Sequence, residues 1–166
     1  FINGRVPGIP ARDIRGKVYR WNKHDFSQDD AKVLRDEFIE HYELALKNAR
    51  TIQWDETEVW ALFRYAEFGD NEQGVSTDVP RNYTRLNTNY RDLLQRAYDE
   101  CVNLQLIQKV KEKWGIDKKG NLGPLGTYKA IGFTDAGYIV QATLEHSFDE
   151  ASGEFRVKII NSRQNM

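Results

Sequence analysis

The chain has 166 residues, 40% of them hydrophobic and 30% charged, with a formal net charge of -1 at pH 7. That is enough chain for one domain with a real core, and the balance excludes a histone-like or disordered polypeptide. No apolar run approaches the roughly 20 residues of a membrane helix, and a single cysteine, Cys101, excludes an internal disulfide or a cysteine-rich zinc site.

The small net charge hides an uneven distribution. Residues 1–24 hold six Lys/Arg against one acid, and residues 25–79 hold five against fourteen. Residues 80–130 hold ten against five, and residues 131–166 three against five. A basic middle beside an acidic N-terminal half implies either an anionic partner or two faces that attract each other.

Residues 1–24 have no helical period and are punctuated by Gly4, Pro7, Gly8, Pro10 and Gly16. Proline fixes φ and removes a donor, so this stretch reads as an extended basic arm. Its cations suit a nucleic-acid backbone, a partner's acidic surface, or the domain's own acidic helix. The N-terminus has no apolar core of the signal-peptide kind, and a start on Phe1 reads as a processed or partial form.

Phe26 to Arg50 is the first predicted helix. Ser27 is its N-cap, with Asp30 in capping-box position. Ala31, Leu34, Phe38, Tyr42, Ala45, Leu46 and Ala49 form the buried stripe, and the other face is acidic. Glu37 and His41 share one face, but the di-metal carboxylate pattern needs Glu-x-x-His and a second copy. A second helix is expected from Glu56 to Phe68, capped by Asp55, with Trp54 and Val59 spaced as a hydrophobic staple. Its many aromatics, at helical spacing, read as core.

Residues 69–79 read as a loop, and Asp78 before Pro80 as the cap of a short helix. The strongest periodic signal follows. Leu86, Tyr90, Leu93, Leu94, Ala97, Tyr98, Cys101 and Leu104 fall at steps of three and four, predicting a central amphipathic helix over 86–107. On that stripe Cys101 reads as a buried small hydrophobe. Arg81, Arg85 and Arg91, with Asn89 among them, give the helix entry the residue types that phosphate and base-edge contacts use.

Residues 108–114 alternate, with Lys109, Lys111 and Lys113 on one side of a predicted strand. A glycine-containing loop and a return strand over 127–133 complete a basic hairpin. The segments 138–148 and 154–160 alternate around a DEASG turn, which favours a second hairpin over a helix capped by Thr134. The organisation expected is a basic arm (1–24), a single α+β domain (25–160) and a polar tail (161–166). Its N-terminal helices and central amphipathic helix should pack on a small antiparallel sheet.

His24, His41 and His146 sit in unrelated contexts, and no nucleophile turn, Rossmann, P-loop, zinc or EF-hand spacing occurs. The expectation is a non-enzyme without cofactor, metal or membrane segment. The runs NLQLIQKVKEKW (103–114) and GTYKAIGFTDAG (126–137) then resemble the winged helix-turn-helix family. There a recognition helix exits through Leu-x-x-x-hydrophobic into a wing hairpin. The resemblance spans residues 55–137 and departs from the pattern in the acidic Asp99 and Glu100. It implies a winged-helix-like DNA-binding module with the central helix in the major groove and the hairpin on phosphate. Arg81, Arg85, Asn89, Arg91, Lys109, Lys111 and Lys113 would make the contacts. The alternative is a structural protein that docks neighbouring subunits as an oligomer or in a larger assembly, such as a virus or phage particle. The expected location is cytoplasmic or inside such a particle.

Overall fold

A computed structural model describes residues 26–69, 79–116 and 120–162. The expectations for the arm, for the loop after Gly69, for the Asp78 cap and for the end of the polar tail lie outside these residues. The protein is an α+β chain that groups into two units, one ending at Phe133 and one beginning at Thr134.

The first unit opens with α1 (Gln28–Asn48). Ser27 Oγ accepts from the Asp30 N–H, and Asp30 Oδ2 accepts from the Ser27 N–H at 3.0 Å, so both halves of the expected capping box form. Ala31, Phe38, Tyr42 and Leu46 are its buried face. Strand β1 (Thr51–Asp55), which the sequence reading lacks, buries Ile52 and Trp54. Helix α2 (Glu56–Phe68) follows at once, capped by Asp55 Oδ1 and ended by Gly69 in a positive-φ conformation. At the start of α1, Gln28 donates to the carbonyls of Ala66 and Glu67, satisfying acceptors that the end of α2 leaves open.

Helix α3 (Val79–Asp99) is one continuous helix, joining the predicted short helix to the central one. Leu86, Tyr90, Leu93, Leu94 and Ala97 are buried. The stripe stops there. The Val102 N–H reaches the Ala97 carbonyl and the Cys101 N–H reaches Tyr98, a Schellman termination with Cys101 at φ 55° in the left-handed position. That turn removes Cys101 and Leu104 from the helical period. Cys101 is exposed, contrary to the buried reading, and Tyr98 is 66% exposed.

Strand β2 (Asn103–Ile107) pairs in parallel with β1, Ile52 opposite Leu104 and Trp54 opposite Leu106. Helices α2 and α3 form the crossover that a parallel pair requires. The core between them is aromatic. Trp54 lies 4.8 Å from Tyr42 and 5.1 Å from Phe38. Tyr90 stacks edge-on with Trp60, Phe63 and Phe133 at 4.8–5.2 Å. Trp54 belongs to this core, as the aromatic cluster implied, but sits on a strand and not at a helix entry alone.

Strands β3 (Val110–Ile116) and β4 (Leu122–Ala130) form the basic hairpin, antiparallel, with an irregularity between Glu112 and Trp114. The strands reach further into the expected loop than the sequence reading placed them. In the second unit a single helical turn, α4 (Ala136–Ile139), precedes β5 (Ala142–Asp149) and β6 (Glu154–Ser162). These pair as the expected hairpin, and the helix alternative survives only as that one turn.

Candidate interaction surfaces

The root of the β3–β4 hairpin is fixed by the first turn of α2. Thr57 Oγ1 donates to the Ile131 carbonyl and accepts from the Lys109 N–H, both at 2.9 Å. Glu56, fully buried, accepts from the Phe133 N–H at 2.8 Å through Oε1 and from the Gln108 amide at 2.7 Å through Oε2. One turn of helix therefore holds both the junction into β3 and the exit from β4. Gly132 makes this possible. Its φ is +135°, and a Cβ there would stand 1.9 Å from Glu56 Oε2.

Burial raises the Glu56 pKa, opposed by its bonds to Gln108 and Phe133. Tyr90 is close enough for the two groups to shift each other, yet its buried hydroxyl meets no acceptor in hydrogen-bond geometry. Burial and then the Glu56 charge push the tyrosine well above its usual range. The cluster has the groups of a proton-transfer site, but its carboxyl is spent on holding the hairpin root.

The predicted basic residues are spread rather than gathered. The side chain of Arg81 lies outside the described residues. Arg85 is exposed and pairs with Glu67 of α2 at 2.8 Å. Asn89 and Arg91 are exposed. At 3.6 residues per turn, Arg85 and Asn89 are about 40° apart around α3, whereas Arg91 is about 120° or more from both. Lys109 pairs with Glu58 of α2, whose hydrogen bond raises the lysine pKa, and Arg96 pairs with Glu43 of α1. The acidic N-terminal half thus neutralises part of the basic middle.

Lys111 and Lys113 share one exposed face of β3 and have no ion pair to another described residue. Lys129 stands directly opposite Lys111 on β4, a neighbour the sequence reading did not single out. His41 Nδ1 lies 2.8 Å from the Glu37 backbone carbonyl. Among the described residues no group of three or more His, Cys, Asp or Glu is placed to hold a metal ion, and no helix is long and apolar enough to cross a membrane.

The surfaces that the sequence reading missed are apolar. Alternation along β3 and the pairings Val110–Ala130, Glu112–Tyr128, Trp114–Pro124 and Ile116–Leu122 put these residues, apolar except for Glu112, on one face of the ribbon. That face is bare: Trp114 is 68% and Leu122 76% exposed. The β5–β6 ribbon is more sharply divided. One face carries the rungs Leu144–Ile159, His146–Val157 and Phe148–Phe155. The other carries Glu145 opposite Lys158, and Asp149 in an ion pair with Arg156 at 2.7 Å. Phe148 and Phe155 stack at 4.8 Å, yet Phe155 is 83% and Ile159 67% exposed. The signal was present as strict alternation, which normally marks a half-buried strand. No protein-family model matches the chain, and comparison with curated proteins and with solved structures gives no match either.

Proposed function

We propose that this chain is a non-enzymatic assembly module that docks onto neighbouring protein subunits through uncovered apolar β-ribbons. One observation carries the reading: two amphipathic hairpins each leave an apolar face exposed. Contiguous exposed apolar surface on this scale marks an interaction site, and a two-stranded ribbon is marginal in water without something on its apolar face. The occupant is protein, since lipid would need a longer continuous apolar band and nucleic acid a charged one. The pairing of Arg85, Arg96 and Lys109 with acids of the same chain supports this, because those cations are already engaged.

Sedimentation velocity over a range of concentrations, alone and with co-purified subunits, tests the proposal. Association that survives high salt is expected, because apolar burial is not screened. A chain that stays monomeric, captures no protein subunit and binds nucleic acid would refute it.

A second reading rests on the lysines of β3–β4 that pair with no acid among the described residues. Lys111 and Lys129 are held side by side with Lys113 on the same ribbon face, an arrangement suited to a phosphate backbone. It would preserve the winged-helix likeness, with α3 and the hairpin on DNA. If it holds, duplex binding should weaken with salt, and Lys111→Ala should reduce the log–log salt slope by about 1. No binding at low salt to duplex or single strands would end it.

A further inference from the structure

Resting on the assembly reading, we infer that the apolar face of β5–β6 packs against the same face of a second copy of this chain about a twofold axis. Three features of the ribbon choose a second copy over a different partner.

The first is charge. The charged face of β5–β6 balances its signs within itself, with Asp149 paired to Arg156 and Glu145 standing opposite Lys158. The apolar face bears no charged carboxylate or ammonium group that would select a partner of opposite sign.

The second is shape. The three rungs run from aliphatic (Leu144–Ile159) through His146–Val157 to aromatic (Phe148–Phe155). A twofold axis lying across the strands at the middle rung reverses one ribbon over the other. Ile159 then meets Phe155 of the second copy, and Leu144 meets its Phe148. Large rings lie over smaller side chains at both ends, the reciprocal i-to-j contact of an isologous interface. Face-to-face sheets packed about 10 Å apart need such interdigitation.

The third is area. These six side chains expose on the order of 600 Å² per copy, taking about 200 Å² for an aromatic ring and somewhat less for an aliphatic chain. Two copies would bury about 1,200 Å², the lower bound for a specific, stable interface.

The test uses the full chain and sedimentation equilibrium. Phe155→Glu and Val157→Arg change exposed positions, so the fold should persist, which thermal melting of each variant checks. Each should weaken dimerisation by about 30-fold or more, as a charge at the centre of an apolar interface does. Because His146 meets His146 at the axis, His146→Leu should tighten the dimer by about tenfold, a gain that general damage does not produce. If both charged variants dimerise like the parent while Trp114→Glu does not, the inference is overturned and assembly through β3–β4 stands. A chain that is monomeric alone but binds a different subunit overturns the inference and keeps the assembly reading. A monomer that binds only nucleic acid overturns both.

Discussion

Gly132→Ala should be among the most damaging single-methyl changes in the protein. Gly132 adopts φ +135°, outside the range L residues favour, and its substitution costs about 1–3 kcal/mol in backbone strain alone. The new Cβ would also stand 1.9 Å from Glu56 Oε2, so the carboxyl must move. Movement breaks its bonds to the Gln108 amide and the Phe133 N–H. Each buried group left without a partner costs about 1–3 kcal/mol. Relaxation recovers part of this, leaving an expected loss of roughly 3–6 kcal/mol out of the roughly 5–15 kcal/mol typical of a domain. Urea unfolding followed by tryptophan fluorescence measures it, since Trp60 stacks on Phe133 at 5.0 Å. The midpoint should fall with little change in slope. A double-mutant cycle isolates the cause. Glu56→Ala should cost about 1–3 kcal/mol less in the Gly132→Ala background than in the parent. A loss under about 1 kcal/mol, or additivity within about 0.5 kcal/mol, would refute the clamp.

Leu94→Ala should destabilise by about 2–5 kcal/mol, read by the same unfolding assay, because Leu94 is buried at the centre of the α3 stripe. A loss below half that range would show that the stripe is not central. Cys101 should react with a thiol reagent in the native state without denaturant, and slow labelling would contradict its exposed placement. Cys101→Gly should stabilise by up to about 1 kcal/mol, because glycine occupies the left-handed position without strain. For Glu56 the sign follows from its raised folded pKa. Between the ordinary value of 4.5 and that higher value, the folded state holds the proton more tightly than the unfolded chain. Stability should therefore fall as pH rises through that window, and Glu56→Gln should flatten the dependence. An unchanged pH profile in Glu56→Gln would assign it to other groups.

Much of the first unit was legible because its signals are local. The Ser27–Asp30 box, the Asp55 cap and the apolar stripes of α1 and α3 each rest on spacings of one or two turns, and they form, the α3 stripe as far as Ala97. What failed depends on distant parts of the chain. β1 is five residues long, and its partner β2 begins at Asn103, so nothing adjacent announces it. Glu56 reads as an ordinary acid in the first turn of a helix. Its burial comes from Gly132 and Phe133, which approach from beyond the hairpin. Cys101 continues the spacing of the stripe, but the backbone has already turned, with cysteine where glycine usually signals the end. The charge blocks were visible as counts, whereas the pairing of Arg85 with Glu67 and of Arg96 with Glu43 needs the packed helices. Alternation announced both hairpins correctly and was silent on whether anything covers them.

That uncovered alternation has a consequence for dynamics. Among the described residues the β3–β4 ribbon is anchored at its root. Its root is held by Thr57, by the Glu56–Gln108 pair and by the Ile131 N–H on the Lys109 carbonyl at 2.7 Å. Outward from Glu112 the strands have chiefly each other, with the Leu125 side chain lying over Gly115. A two-stranded ribbon with one bare apolar face opens at little cost, so local stability should fall from root to tip. Amide hydrogen exchange in the isolated chain should be slow at Lys109 and Ile131, whose N–H groups reach Thr57 Oγ1 and the Lys109 carbonyl, and fast at Ile116 and Leu122. Anything that binds the closed ribbon and not the open one stabilises it by mass action. Under the assembly reading, protection at the tip should therefore rise with protein concentration or with added subunit, while protection at the root stays unchanged. Uniform protection along the ribbon in the dilute monomer would mean that its apolar face is already covered, and would remove the reason for it to dock.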